Sequence, residues 1–137
     1  MGVMTEFPIN TPEVFGNAHI TSAPGVMTVI DAVAEAPAAQ PEHARPTAKR
    51  HLQADGANII LFTFTKGQTL NEHKAAHPIT VECVKGELEF TCRDNTVTLR
   101  PGTVVHLTDH LVHRVDCNAE GENVLLLTML TGERHQS

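Results

Sequence analysis

The sequence predicts an all-β sandwich or barrel, and three observations carry this prediction. After residue 47, many short segments rich in β-branched and apolar residues follow one another at close, regular spacing. Turn residues such as Gly67, Gly86 and the Pro101-Gly102 pair separate these segments, and no helical pattern lies between them. Six of the eight prolines lie before residue 47, so the chain is predicted to change there from an irregular segment to a series of strands.

The prolines divide the chain into three predicted parts. Residues 1–46 are predicted to form an irregular, proline-rich N-terminal arm, because each proline removes a backbone donor and restricts the residue before it. Residues 47–131 are predicted to form the β-barrel domain, and residues 132–137 a polar tail. Within the arm, residues 28–35 allow one short helix that Pro37 would end. The arm is expected either to be loose or to pack on a partner subunit.

Alternation of apolar and polar side chains defines the predicted strands. It is clearest in residues 87–92, where Leu88, Phe90 and Cys92 face one side and polar residues face the other. Asp94-Asn95 then provides a tight turn into a return strand, since both residue types tolerate positive φ. The predicted strands comprise residues 58–65, 79–84, 87–92, 96–100, 103–107, 112–117 and 123–130.

Composition and charge exclude several classes of function. The formal net charge is -6 with neutral histidines and the chain has no Trp or Tyr, so it lacks the basic footprint and the stacking aromatics of nucleic-acid binders. No apolar stretch approaches the roughly 20 residues that span a bilayer, and the N-terminus has no signal-peptide pattern. The three cysteines show neither disulfide-framework nor zinc spacing. We therefore expect a cytoplasmic protein with reduced thiols and with no nucleic-acid or membrane partner.

The histidines concentrate in the strand-rich half of the chain. Five of the nine fall between residues 73 and 113, in two groups. Imidazole is the commonest metal ligand in proteins and titrates near neutrality, so converging histidines indicate a metal site or an acid–base site. The alternative is that exposed turns simply contain histidine. The five residues are His73, His77, His106, His110 and His113.

Two spaced motifs in this half resemble those of the cupin superfamily. The first runs from Gly67 over His73 to Gly86, and the second joins Gly102 to His113. The resemblance covers most of the second half of the chain and implies a small single-domain protein with a double-stranded β-helix, or jelly-roll, barrel of the RmlC-like type. It also implies a homodimer and one divalent metal, held by two His and one Glu of the first motif and one His of the second.

Two of the family's four ligand positions are lost in this sequence, so the metal motif is degenerate. The resemblance puts His73 and His113 at the kept positions, and catalytic metals usually have at least three protein ligands. His77, which shares strand parity with His73, is the predicted third ligand, and His110 is its substitute. Such a site suits Zn, Ni, Fe or Cu by ligand type, with Mn a further candidate. The lost positions are Ala75 and Ile79, neither of which can coordinate a metal.

The predicted pocket beside these histidines is small and aliphatic. Ile79, Val81 and Cys83 share inward parity and are expected to line it, and the lack of Trp and Tyr disfavours stacking on a sugar or a large aromatic substrate. One predicted function is a metal-dependent cupin that binds or acts on a small molecule. The alternative is a metal-free cupin that binds or senses a ligand, or that serves as a dimer scaffold without catalysis.

Overall fold

The computed structural model describes residues 7–18, 20–21 and 24–132. Eleven strands and one 3-10 helix (Pro12–Phe15) lie in these residues, and none of their helices has the length and apolar character needed to cross a membrane. Of the predicted polar tail, residues 133–137 lie outside the described residues. The strands are β1 (Ile9–Asn10), β2 (Ile20–Thr21), β3 (Thr47–Ala54), β4 (Ala57–Phe64), β5 (Thr69–Ala75), β6 (Ile79–Lys85), β7 (Leu88–Cys92), β8 (Asn95–Leu99), β9 (Val104–Leu107), β10 (His113–Asp116) and β11 (Asn123–Leu130).

The strands form two sheets that face each other across one core. One sheet has the order β1-β5-β10-β7-β8 and the other has the order β2-β3-β4-β11-β6-β9. Neighbouring strands are antiparallel, except that β1 pairs with β5 and β2 pairs with β3 in parallel. Within the described residues no ladder joins the two sheets. The predicted all-β jelly roll is therefore confirmed, as a two-sheet structure whose barrel is not closed by hydrogen bonds.

Phenylalanine and aliphatic side chains fill the core between the sheets. Phe62, Phe64 and Phe90 are at most 2% exposed, and they pack with aliphatic residues of both sheets. Alternate residues of each strand point inward, so the period-two pattern of the sequence becomes the wall of the core. Each such side chain stabilises the fold by roughly 1.5–3 kcal/mol through burial.

Strand β4, inside the larger sheet, is buried on both faces. Leu61 and Thr63 point away from the core, yet they are 0% and 1% exposed. The arm covers this outer face, and the Thr63 hydroxyl donates a 2.6 Å hydrogen bond to the carbonyl of Pro37. Burial on both faces accounts for the nearly continuous apolar sequence of this strand.

The arm also packs against the sandwich of its own chain at its beginning. The backbone N–H of Lys74 in β5 donates to the carbonyl of Pro8 at 2.8 Å. The ring of Phe15 meets the ring of Phe62 edge-on, with centroids 5.4 Å apart. The described part of the arm therefore packs on the sandwich of its own chain and forms part of its surface.

The strand predictions differ from the structure at four strands. Strand β11 has the predicted bounds, but β1 and β2, in the arm predicted to be irregular, and β3 and β5 were not among the predicted ranges. Strands β3 and β5 are rich in polar residues and both contain a register shift, which breaks the alternation that reveals a strand in sequence. The helix considered for residues 28–35 is replaced by a single turn, in which Glu35 N–H donates to the carbonyl of Asp31 at 2.8 Å.

Candidate functional site

His73 and His113 lie side by side on neighbouring strands of the five-stranded sheet. They are direct cross-strand partners in the ladder between β5 and β10, so both side chains point to the same inward face. They are 5% and 3% exposed, and their ring centroids lie 4.2 Å apart with an interplanar angle of 64°. The two histidines that the cupin resemblance puts at the kept ligand positions therefore do lie in contact inside the fold.

A β-bulge in β5 orients the His73 ring. The register shifts by one residue between the His113–His73 pair and the Val115–Leu70 pair. The extra residue lets Leu70 and His73, which are three positions apart, share the inward face. It also brings the Asn71 carbonyl within 2.7 Å of the His73 Nδ1, so the ring is fixed by the bulge itself.

The His113 ring is fixed in the same way. The Leu111 carbonyl, just before β10 begins, lies 2.8 Å from the His113 Nδ1. Because a carbonyl oxygen only accepts hydrogen bonds, both rings carry a proton on Nδ1, and each neutral ring presents the lone pair of its Nε2. Metal-binding histidines are commonly oriented through a hydrogen bond from the other ring nitrogen.

Burial keeps the imidazole pair neutral. Burial first, and the neighbouring His73 second, lower the pKa of His113 to about 4. Burial also lowers the pKa of His73, although its hydrogen bond to the Asn71 carbonyl acts in the opposite direction. Phe90 stacks on the His113 ring with centroids 5.4 Å apart and adds to the apolar surroundings. At neutral pH both rings are therefore in the form that donates a lone pair.

Cys92, which the sequence motifs did not indicate as a site residue, extends this row of side chains. It lies on β7 as the direct partner of His113, on the opposite side of β10 from His73. Its side chain is partly buried and its thiol is free. The alternation in residues 87–92 had put Cys92 on the inward side, but its place beside His113 depends on the register of two distant strands.

The other two predicted ligands lie outside the imidazole pair. Strand β5 ends at Ala75, so His77 lies in a loop and does not continue the strand parity of His73. His110 is exposed in a turn with φ of 65°, and its Nδ1 lies 3.2 Å from a carboxylate oxygen of Asp109. Within the part of the chain that the structure describes, no three or more His, Cys, Asp or Glu side chains are grouped so as to hold a metal ion.

The residues expected to line the pocket belong to the closed core. Ile79, Val81 and Cys83 lie on β6 of the opposite sheet and are each 1% exposed, and Ala75 is 5% exposed. Burial raises the pKa of the Cys83 thiol to about 11, so this side chain is an inert, small apolar group. His106 is exposed on β9. The cavities beside the imidazole pair are lined by other residues.

Two cavities each include one histidine of the pair in their linings, together with residues such as Glu72 and Arg114 that alternate with the histidines and face away from the core. The first has a volume of about 210 Å³ and is lined by the arm and β5, including His73. The second, of about 260 Å³, includes His113. Glu72 lines both cavities, and Arg114 holds its carboxylate with an NH1–Oε1 distance of 3.1 Å. Arg114 also pairs with Asp116 at 2.8 Å, and this guanidinium lowers the pKa of the Asp116 carboxyl.

Solved structures share this architecture at low sequence identity. A protein with a double-stranded β-helix domain from Klebsiella pneumoniae gives a TM-score of 0.66 at 14% identity, covering 80% of this chain and 95% of that one. A cupin superfamily protein from Desulfitobacterium hafniense gives 0.59 at 22% identity, covering 69% and 83%. A DMSP lyase from Ruegeria pomeroyi gives 0.58 at 16% identity, covering 68% and 50%. No protein-family model and no curated protein matches the sequence.

The fold and the site together define a class: an all-β double-stranded β-helix protein with a buried histidine pair. More narrowly, the fold is the one found in solved structures of cupin superfamily proteins, including an RmlC-like cupin, in agreement with the resemblance of the two sequence motifs. Structural likeness at such identities establishes the fold, whereas function has to be argued from the site.

Proposed function

We propose that the protein binds a small molecule beside the His73–His113 pair and that this pair holds a divalent transition metal. The observation that carries the proposal is the matched pair of hydrogen bonds from Nδ1 to backbone carbonyls. These bonds fix both rings and leave both Nε2 lone pairs available. Two cavities whose linings include His73 and His113, respectively, provide room for a small molecule close to the strands that carry the pair.

The two imidazole nitrogens are of a ligand type that binds divalent transition metals. Imidazole nitrogen suits Zn, Cu, Fe and Ni, and burial lowers the pKa of both histidines, which favours the neutral form that coordinates. Two protein ligands leave the other coordination positions to water and to the bound molecule. When bound, the metal would supply Lewis-acid polarisation of an oxygen on that molecule. The chain's own contribution is to fix the two rings and, through Phe90, to keep water from the His113 face.

Metal content tests this proposal directly. The untagged protein is analysed by mass spectrometry for bound metal, together with His73→Ala, His113→Ala and the control His106→Ala, which removes an exposed imidazole. We expect metal near one equivalent in the wild type and in the control, and its loss in the other two variants. A wild-type protein that is metal-free and does not take up Zn, Ni, Fe, Mn or Cu overturns the metal assignment.

A metal-free ligand-binding module is the second candidate, and a specific observation favours it. The two lost ligand positions hold Ala75 and Ile79, both buried in the core, and the described residues include no group of three or more His, Cys, Asp or Glu side chains that could hold a metal ion. The two Nε2 atoms would then accept hydrogen bonds from the bound molecule directly. Binding of a small molecule that is unchanged after treatment with EDTA supports this candidate over the first.

A further inference from the structure

The segment just before β3 contributes a cation to the lining of the cavity that includes His73. Arg45 lines this cavity of about 210 Å³, and it also lines a cavity of about 240 Å³. The two cavities share Asn10, Arg45 and Leu70, so Arg45 lies where they adjoin.

A buried glutamine holds the segment that carries Arg45. Gln68 is 2% exposed, and its Nε2 donates to the carbonyls of Gln40 and His43, both at 2.9 Å. Its Oε1 accepts a hydrogen bond from the backbone N–H of Thr65 at 2.8 Å, so the amide itself is anchored in the turn before β5. The end of the arm is therefore fastened to the sandwich a few residues before Arg45.

Two further constraints act next to Arg45 itself. The backbone N–H of Thr69 in β5 donates to the carbonyl of Ala44 at 3.1 Å. Pro46 follows, and a proline restricts the residue before it to extended conformations. The backbone of Arg45 is thus positioned before any ligand arrives, which lowers the entropy cost of using its side chain in binding.

The charges around this cavity leave Arg45 uncompensated. Among the described residues its guanidinium has no ion-pair or hydrogen-bond partner. The carboxylate in the same cavity, Glu72, is already held by Arg114. Among the residues that the structure describes, one positive charge at this cavity therefore has no partner, and it favours an anionic ligand.

The joined cavities have polar walls at Asn10, Asn71 and Glu72 and an apolar part at Phe15 and Leu70. Phe15 and Leu70 are partly buried and offer apolar contact surface to a short aliphatic chain, and the linings hold no second cation for a more highly charged group. A planar guanidinium matches a carboxylate through two parallel hydrogen bonds.

We infer that Arg45 recognises the carboxylate of a small aliphatic acid whose hydrocarbon part lies against Phe15 and Leu70. The inference rests on the proposed function, since it assigns a ligand class to the same His73 cavity. It gives the arm a specificity-determining residue, outside the two motifs that the sequence analysis considered.

Binding of simple acids to the metal-free protein tests the inference. The probes are the straight-chain monocarboxylates from butanoate to octanoate, each compared with its primary amide by calorimetry. We expect at least one acid to bind, and its amide to bind roughly 10-fold or more weakly. Arg45→Gln should weaken acid binding by roughly 10- to 100-fold, and Arg45→Lys by less, because it keeps the charge and loses the planar fork. Arg100→Gln removes a charge from an exposed arginine paired with Glu87 and should bind the acid like the wild type.

Three results would overturn the inference: no acid binds the wild type, the amide binds as well as the acid, or Arg45→Gln keeps wild-type affinity. The acid–amide comparison on the wild type decides the matter if a variant does not fold. Metal content is measured separately. If the wild type takes up no metal yet binds the acid through Arg45, the metal assignment fails and this inference stands. If metal binds and substitution of Arg45 does not change acid binding, this inference fails and the metal assignment stands.

Discussion

The buried imidazole of His113 makes the stability of the metal-free protein depend on pH. The pKa of His113 is about 4 in the folded protein and near the ordinary 6.5 in the unfolded chain. As pH falls, the unfolded state takes up this proton first, so the free energy of unfolding should decrease from about pH 6.5 to about pH 4. The loss corresponds to roughly 3 kcal/mol. Burial lowers the pKa of His73 as well, which acts in the same direction.

Urea titrations of EDTA-treated protein between pH 4 and pH 7 measure this effect. His113→Gln should flatten the dependence, because glutamine does not titrate in this range. His106→Gln, which changes an exposed histidine, should leave the wild-type dependence in place. A stability that is independent of pH across this interval contradicts the burial of a neutral His113.

Alanine substitutions at Gly86 and Gly67 distinguish the cost of a steric clash from the cost of backbone strain. Both have positive φ, 81° and 90°, but a Cβ at Gly86 would collide with the side chain of Asn123, whereas a Cβ at Gly67 meets nothing within 4 Å. Asn123 is 1% exposed, and its Oδ1 accepts a hydrogen bond from Glu87 N–H at 2.9 Å, so it has little room to move. Gly67→Ala should cost about 1 kcal/mol and Gly86→Ala about 3 kcal/mol or more. Thermal unfolding of the two variants measures both, and equal losses contradict the clash.

At the scale of elements, side-chain alternation predicted the strands that have one apolar face. Strands β6 and β7 followed from it directly, and the resemblance to the cupin motifs implied that His73 and His113 lie near each other. Strand β5 was missed because it is polar and because its bulge interrupts the period of two. Cys92 and Arg45 were missed for another reason. Their places depend on the pairing of distant strands and on the packing of the arm, which local patterns do not encode.

The contact between the arm and the turn before β5 depends on one side chain. Gln68→Ala removes the hydrogen bonds to the carbonyls of Gln40 and His43 and leaves these groups without their buried partner. We expect a loss of about 2–3 kcal/mol in the free energy of unfolding. We also expect faster amide hydrogen exchange in residues 40–46. The neighbouring Lys66→Ala breaks only an exposed ion pair with Glu120 and should change stability by less than about 1 kcal/mol.

Amide exchange in both variants is measured by mass spectrometry of peptides, and their stability is measured by urea unfolding. If Gln68→Ala left exchange in residues 40–46 as in the wild type, the glutamine would not be what holds this segment. The same variant should also weaken acid binding at Arg45, since it loosens the backbone that positions the guanidinium.

The two sheets of the whole molecule differ in how well their amides are shielded. Strands β4 and β11 pair over eight residues inside the larger sheet, and the arm covers the outer face of β4. Strand β8 is an edge strand of the smaller sheet with Val97 38% exposed. We therefore expect the slowest amide exchange in β4 and β11 and much faster exchange in β8. Exchange measured residue by residue by NMR checks this order, and uniform protection of both sheets contradicts it.

The bulge in β5 makes this strand one residue longer than its pairing with β10 requires. Asn71 and Glu72 together face a single partner residue, Arg114, while the pairs on either side are in register with the inward face. Deletion of one of these two residues would restore one-to-one pairing without turning Leu70 or His73 to the other face. The chain would keep its fold and lose the carbonyl that holds the His73 ring. Deletion of a single codon at this position would therefore preserve the fold and remove the support of the His73 ring.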